Sequence, residues 1–220
     1  MSTQMTGAQM VVQALKDQGV DTVFGYPGGA VLPIYDEIFQ QNDIRHILVR
    51  HEQGATHAAD GYARVTGKAS VVLSHLGPGL SNAATGVANA ALDCIPMVVI
   101  AGDIPSHYYG KHPHQEVNLH ADGAQSEIYR PFVKRVWRVE RPELFPEIME
   151  KAFQLAESGQ PGPVLVDVPM DIFSRKVDVA LFDRQQHNAA TCCEPHKFRI
   201  HEEPIIPIKS KPDRTYSYKY

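Results

Sequence analysis

Apolar residues in the first 175 positions fall into short runs of strand length that alternate with stretches spaced for helices. The runs lie at residues 20–26, 44–49, 69–74, 96–101, 132–139 and 163–168, and the main helical stretches follow them or precede the first. The run at 96–101 shows no polar alternation, as expected where both faces of a parallel strand are covered. The pattern predicts an α/β fold: a doubly wound, mainly parallel six-stranded sheet with helices on both faces.

Local signals fix several helix boundaries and one turn. Thr6 followed by Gln9 has the form of a capping box, and Gly19 is placed to end the same helix. Pro33 is tolerable in the second helix only within its first turn. The glycines of the turn at 27–29 allow positive φ and leave the backbone bare for a ligand to approach.

Two segments lack a sustained apolar period. Residues 102–129 are predicted to form a long polar loop, a kind of segment that is usually functional or mobile inside a compact domain. Residues 176–220 carry polar, proline and basic residues and are predicted to be the start of a linker and a poorly ordered tail. The domain is therefore predicted to span residues 1–175.

Composition excludes some function classes. The net charge of −4 gives no basic field for nucleic acid. The sequence has no apolar run of about eighteen residues and no signal peptide pattern, so we expect a cytoplasmic protein without a membrane span. Three cysteines do not form a disulfide framework, and the four histidines between residues 107 and 120 follow no ligand spacing, so no metal site is predicted. The basic residues Lys134, Arg135 and Arg138 are predicted to lie on a solvated strand face.

Glu52 lies where the strand at 44–49 gives way to the next helix. In an open α/β sheet the carboxyl end of a strand is where ligands bind, so a carboxylate here is placed for chemistry. The alternative is that Glu52 complements the positive end of the helix dipole, as carboxylates in a first turn commonly do. The residues alone leave both interpretations open.

Three strand ends carry the segments FGYPGG, RHEQG and GPGLSN. Two bare glycine turns on either side of one carboxylate suit a flat, partly apolar ring better than a phosphate group. Neither a P-loop lysine motif nor the GxGxxG spacing of dinucleotide binders is present. The sequence therefore predicts a ring-binding site at this edge of the sheet.

Five runs keep their mutual order between residues 5 and 175: FGYPGGAVLPIYD, RHILVRHEQGATHAADGYAR, GPGLSNAATGVANAALDCIPMVVIAG, HQEV and QPGPVLVDVPMD. Together they resemble the N-terminal pyrimidine-binding (PYR) domain of thiamine-diphosphate enzymes of the acetolactate synthase group. The resemblance implies that Glu52 hydrogen-bonds N1′ of the cofactor aminopyrimidine and so activates the cofactor. It also implies that Gln115 faces a small 2-keto acid substrate. The positions that match the two cofactor-binding turns are Pro27, Gly28, Gly77, Pro78, Gly79 and Asn82.

Two histidines depart from the acetolactate synthase pattern. His114 stands where those enzymes have a phenylalanine, and His75-Leu76 replaces a pair of small hydroxyl residues. His75 is a candidate catalytic acid or base, since imidazole changes charge near neutral pH. The alternative is a histidine that caps the strand end and orients its neighbours. A carboligase, lyase or decarboxylase other than acetolactate synthase therefore stays open.

The diphosphate-binding motif of this group, which begins with Gly-Asp-Gly and ends with asparagines, does not occur in the sequence. By resemblance, Mg²⁺ and the diphosphate bind to a partner domain, and the two halves of one site come from two subunits. The chain is therefore expected to bind only the pyrimidine end and to be a truncated form, inactive alone. A natural PYR subunit of a two-chain decarboxylase and a non-catalytic module that binds a full-length relative are the alternatives.

The helices around residues 55–63 and 83–91 are rich in small residues. Such helices are expected to pack closely on the sheet, and the resemblance implies that their faces also build a dimer interface. The implied partners are thus a second copy of the chain or a diphosphate-binding domain or subunit.

Overall fold

The strands and helices of the chain alternate in sequence, as the apolar pattern predicts. The structure, a computed structural model, describes residues 4–111, 113–117 and 124–178. The strands are β1 Gln4–Thr6, β2 Thr22–Gly25, β3 Arg45–Leu48, β4 Ser70–Ser74, β5 Met97–Asp103, β6 Val136–Arg138, β7 Pro163–Pro169 and β8 Lys176–Asp178. The α-helices are α1 Gly7–Asp17, α2 Leu32–Phe39, α3 Glu52–Thr66, α4 Pro78–Leu92, α5 Ala124–Glu127, α6 Phe145–Glu157 and α7 Met170–Ser174.

Six of the strands form one all-parallel sheet in the order β3-β2-β4-β5-β7-β6. Helices α1, α2, α6 and α7 contribute to the core on one face, and α3 and α4 to the core on the other. The doubly wound fold is therefore confirmed. The chain passes from β2 outward to β3 and then returns to β4 on the other side of β2. This reversal makes a topological switch point, the place where an open α/β sheet binds its ligand.

The small-residue helices pack as predicted. Ala55, Ala59 and Ala63 of α3 belong to the same buried core as Ala90 of α4, and Ala83 of α4 is also buried. A Cβ on Gly86 of α4 would lie 2.0 Å from the Thr56 hydroxyl of α3, so glycine permits this close helix crossing. The close packing on the sheet is thus confirmed, whereas the dimer interface stays a prediction.

The predicted boundaries of the first helix are confirmed. The Thr6 hydroxyl accepts a hydrogen bond from the Gln9 amide at 3.2 Å, and the Gln9 side chain accepts one from the Thr6 amide at 2.9 Å. Gly19 adopts φ +71°, and the next residue, Val20, donates back to Leu15 at 3.0 Å, which closes the end of α1. Pro33 lies in the first turn of α2, as its missing amide requires.

Other boundaries differ from those predicted. The loop expected over 102–129 is shortened at both ends, because β5 continues to Asp103 and Ala124–Glu127 forms α5. Its polar residues Asp103 and Gln125 are buried, which polarity alone does not reveal. Asp103 accepts a hydrogen bond from Arg138, and Gln125 donates one to the Gly102 oxygen. Helix α4 begins at Pro78, earlier than residue 83, and the strand expected over 132–139 is only Val136–Arg138.

A short antiparallel pair stands apart from the main sheet. In this pair Gln4 of β1 lies opposite Asp178 of β8, and Thr6 lies opposite Lys176. Ordered structure therefore continues three residues past position 175. Residues 179–220, which hold most of the predicted linker and tail, lie outside the described residues, and the division of the chain at 175 stays a prediction.

Candidate functional site at the carboxyl edge of the sheet

The three strand ends singled out in the sequence meet at the switch point. The turn at 27–29 follows β2, Glu52 follows β3, and the turn at 77–79 follows β4. Because the strands are parallel and adjacent, all three lie at the carboxyl edge of the sheet. The order of the strands, rather than their spacing along the chain, is what brings them together.

Glu52 is the first residue of α3 and is only 7% exposed. The Asn82 amide donates a hydrogen bond to Glu52 Oε2 at 3.0 Å. The other oxygen, Oε1, lies 3.5 Å from where a Cβ on Gly79 would stand. A carboxylate that only complements a helix dipole needs no burial, so this position favours the functional interpretation of Glu52.

The turn at 77–79 requires its glycines. Gly77 adopts φ +51° and ψ −102°, and a Cβ there would lie 2.0 Å from the backbone oxygen of Gln115. A Cβ on Gly79 would lie 3.0 Å from the His75 Cβ and 3.1 Å from the Ser74 hydroxyl. At Gly79 the turn thus places backbone without a side chain beside the Glu52 carboxylate.

The His75 ring connects the residues that follow β2 with the segment 113–117 through two hydrogen bonds. Its Nδ1 accepts a hydrogen bond from the Ala30 amide at 3.2 Å, which leaves the ring proton on Nε2. Nε2 then donates to the Gln115 side-chain oxygen at 2.9 Å. Both ring nitrogens are therefore used to hold neighbours, which favours the orienting alternative, and the acid/base role of His75 stays a prediction.

Positive φ is not what the turn at 27–29 needs, so that expectation was wrong. Gly28 adopts φ −142°, and neither Gly28 nor Gly29 is among the residues with positive φ. Glycine is required at position 28 for another reason: a Cβ there would lie 2.5 Å from both Cβ and Cγ of His75. The imidazole occupies the space that a side chain at position 28 would fill.

Replacing Gly28 by alanine is expected to destabilise the domain by about 1–3 kcal/mol, because the methyl group overlaps the His75 side chain. Gly29→Ala is the matched control, since a Cβ on Gly29 meets no atom within 4 Å. Urea unfolding of both variants measures the effect. In a double-mutant cycle, the combined variant Gly28→Ala/His75→Ala should lose less unfolding free energy than the sum of the two single losses. Equal stability of the two glycine variants would contradict the packing described here.

The remaining predicted site residues lie at the rim. Pro27 and Pro78 are exposed, each within one of the two turns. Gln115 is exposed and adopts φ +66°, a left-handed conformation that is uncommon for a residue with a side chain. The structure thus brings Glu52, Asn82, Gly79 and His75 into one cluster. Gln115 is attached to it through its hydrogen bond with His75 and through the packing of its backbone oxygen against Gly77.

The structure adds a buried polar network that the sequence interpretation missed. Arg138, expected on a solvated face, donates to Asp103 Oδ2 at 2.8 Å, and its guanidinium lies 4.4 Å from the Tyr109 ring centroid. Lys134, also expected to be solvated, donates to the backbone oxygens of Leu155, Ser158 and Gln160 at the end of α6. The prediction was therefore wrong for Arg138, which is mostly buried against Asp103. Lys134 is exposed as expected, although its acceptors are distant in sequence.

Asp167 of β7 completes the network and is fully buried. Its Oδ1 accepts a hydrogen bond from the Gln125 amide at 2.8 Å, while no described residue bonds to Oδ2. Burial and the nearby Asp103 carboxylate raise the pKa of Asp167 to about 7, against the opposing effect of Arg138. Burial also raises the pKa of Asp103, again opposed by Arg138. The sole sequence signal was one acid within the apolar run of β7.

Among the residues that the structure describes, no three His, Cys, Asp or Glu side chains are grouped to hold a metal ion. His112 and His120 of the histidine-rich stretch lie outside the described residues. Within the same described ranges, no helix has both the length and the apolar character needed to cross a membrane.

Comparison with known protein families gives a match over the first half of the chain. The family described as "Thiamine pyrophosphate enzyme, N-terminal TPP binding domain" matches residues 5–123. The matched range contains Glu52, both glycine turns, His75 and Gln115.

Curated relatives match a longer range. The acetolactate synthase large subunit of Buchnera aphidicola subsp. Acyrthosiphon pisum is 51% identical over 171 residues, which are 78% of this chain and 29% of that protein. The acetolactate synthase isozyme 3 large subunit of Escherichia coli K12 is 50% identical over 170 residues, 77% of this chain and 29% of that protein. The acetolactate synthase large subunit of Corynebacterium glutamicum is 45% identical over 175 residues, which are 80% of this chain and 27% of that protein. The chain spans less than a third of the length of these relatives.

Proposed function

The chain belongs to the thiamine pyrophosphate enzymes through their N-terminal TPP-binding domain, and from this we propose that it supplies the aminopyrimidine half of a thiamine diphosphate (thiamine pyrophosphate) site. The observation that carries the proposal is the buried Glu52 carboxylate, with one oxygen held by Asn82 and the other beside the bare backbone of Gly79. An acid in this position matches the role that the resemblance implies for Glu52.

The described residues fit the cofactor's pyrimidine ring. Glu52 Oε1 has no hydrogen bond to any described donor, so it is free to hold a proton that it shares with a ring nitrogen. Asn82 orients the carboxylate, and the backbone of Gly79 lies beside it without a side chain. Thiamine diphosphate, when bound, supplies the electron sink for breaking and forming bonds next to a carbonyl carbon.

The other half of the site is proposed to lie on a partner. The chain covers under a third of its relatives, and its sequence lacks the Gly-Asp-Gly motif expected for Mg²⁺ and diphosphate. The outward residues Ala58, Gly61 and Thr85 of α3 and α4 are small and exposed, which suits close contact with a second copy or a diphosphate-binding domain. In this proposal the chain forms a half-site of a cytoplasmic acetolactate synthase-like carboligase or decarboxylase, and activity requires the diphosphate-binding half.

The substrate is proposed to be a small 2-keto acid. Gln115 is exposed beside His75, where its amide can reach a molecule that enters above the turns. A natural PYR subunit that pairs with a separate diphosphate-binding subunit remains the second candidate, because the same half-site geometry serves both arrangements.

Calorimetric titration of thiamine diphosphate with Mg²⁺ into the purified chain tests the half-site. We expect the lone chain to bind with a Kd above about 100 μM, because the charged end of the cofactor gains no contacts. Addition of a diphosphate-binding partner domain should strengthen binding. Micromolar binding by the lone chain would overturn the half-site.

The free pyrimidine 4-amino-5-hydroxymethyl-2-methylpyrimidine tests the ring site itself. In amide NMR spectra, millimolar concentrations should shift the signal of Gly79, which lies beside Glu52, and that of Gly77, two residues earlier in the same turn. Absence of any shift at these positions would contradict the proposed pyrimidine site.

A further inference from the structure

Gln125 on α5 connects three separate parts of the fold through one side chain. Its Oε1 accepts a hydrogen bond from the Gly77 amide at 3.0 Å. Its Nε2 donates to the Gly102 oxygen of β5 at 3.2 Å and to Asp167 Oδ1 of β7 at 2.8 Å. The side chain is 1% exposed, so water does not substitute for these partners.

The hydrogen bond from Gly77 to Gln125 holds the backbone at a residue that has no side chain to restrict its conformation. Glycine has access to more φ and ψ values than other residues, so the conformation at Gly77 must be held by its surroundings. Gln125 fixes the direction of the Gly77 amide, two residues before the position that faces Glu52 Oε1. A rotation of this peptide would therefore move the backbone beside the carboxylate.

The Nε2 end of the Gln125 side chain bonds to two adjacent strands of the sheet, β5 and β7. Asp103 and Asp167 each lie two residues beyond a buried residue, Ala101 and Leu165, of the core under α3 and α4. Since strand residues two apart share a face, both acids lie on the side of the sheet that carries the site. Arg138 binds Asp103 and packs over Tyr109, which ties this anchor to β6.

A second bond from the same segment supports α4 directly. The buried Tyr129 hydroxyl donates to the Leu80 backbone oxygen at 2.6 Å. Residues 125–129 thus hold the glycine turn and the first turn of α4, although they touch neither Glu52 nor Asn82 through any described hydrogen bond.

We propose that Gln125 is a positioning residue for the cofactor: by joining the Gly77 amide to Gly102 and Asp167, it sets the backbone against which the pyrimidine ring binds. This inference rests on the proposed function and extends it to a residue remote from the ring. When Gln125 is replaced, we expect the pyrimidine affinity and the protection of the Gly77 amide from hydrogen exchange to fall by more than the loss of global stability explains.

The test uses Gln125→Met, which keeps the length of the side chain and removes its amide. Hydrogen exchange of the Gly77 amide should accelerate by about tenfold or more beyond the global change, and the Kd of 4-amino-5-hydroxymethyl-2-methylpyrimidine should rise about tenfold, as for one lost hydrogen bond. Val164→Ala, in the core on the other face of the sheet, is the control variant for a general loss of stability. It should keep the wild-type affinity within about twofold, since Val164 lies on the other face of the sheet.

Gln125→Glu keeps the proposal testable if the methionine variant does not fold. A protonated carboxyl group can accept from Gly77 and donate to Gly102, whereas the ionised form cannot donate and faces Asp167. The deficit in affinity relative to wild type should therefore be smaller at pH 5 than at pH 8. A variant that binds the pyrimidine within twofold of wild type and keeps Gly77 protected would overturn the inference alone. Absence of pyrimidine binding by the wild-type chain would instead overturn the proposed function, and the cofactor role of Gln125 with it.

Discussion

Glu52→Gln is expected to slow deuterium exchange at the thiazolium C2 of bound thiamine diphosphate by at least about 100-fold. Glutamine keeps the size of the side chain and can still accept the Asn82 hydrogen bond, but it cannot take up or release a proton. The measurement is proton NMR of quenched samples of the chain assembled with a diphosphate-binding partner domain.

Glu150→Gln is the matched control for this variant, because Glu150 is exposed on α6, on the other face of the sheet. It should exchange C2 at the wild-type rate. The unfolding free energy of Glu52→Gln should stay within about 1 kcal/mol of wild type, since no packing is lost. An exchange rate within threefold of wild type would show that Glu52 does not activate the cofactor.

Arg138→Met is expected to lower the free energy of unfolding by about 2–4 kcal/mol, the largest stability effect anticipated for a single site here. The change removes the cation from a buried pair in which the Asp103 side chain is 3% exposed and that of Arg138 is 23% exposed. The two neighbouring buried acids, Asp103 and Asp167, then lose the cation that lowers the pKa of both. Urea unfolding followed by circular dichroism measures the loss.

The loss should depend on pH in a defined direction. The folded-state pKa of Asp167 is raised from 3.8 to about 7, so its stabilising effect is complete below about pH 4 and is lost as pH rises through 7. Arg138 opposes that rise, and its removal should raise the pKa of both acids further. The deficit of Arg138→Met should therefore be larger at pH 8 than at pH 5.

Arg130→Met provides the control for charge removal at the surface. Arg130 pairs with Glu127, and both side chains are more than half exposed, so the change should cost less than about 1 kcal/mol. If the two arginine variants lose the same stability, or if the Arg138 deficit does not grow with pH, the buried network does not stabilise the fold as described.

The fold was predictable because its signals are local. The capping box at Thr6, the glycine that ends α1 and the apolar runs of the parallel strands each act within a few residues. The position of Glu52 was predictable for a related reason: a parallel sheet places the residue after each strand at one edge, whatever the intervening helix contains.

The polar groups that support the site were not predictable. Gln125 lies in a stretch without apolar period, and its three partners are 23 to 48 residues away in sequence. Arg138 was predicted to be a surface cation because its acceptor, Asp103, belongs to another element. Gly28 was assigned to the correct turn for the wrong reason, since its small size serves His75, which lies 47 residues later.

The β1–β8 pair also determines how the domain would respond to tension. Gln4 and Asp178 face each other at one end of this antiparallel pair, and only two further residue pairs follow them in the register. A force applied at these two positions would open the hydrogen bonds one after another, as a zipper does, instead of loading them together in shear. The pair should therefore yield at low force in an optical trap, while the parallel sheet keeps its structure.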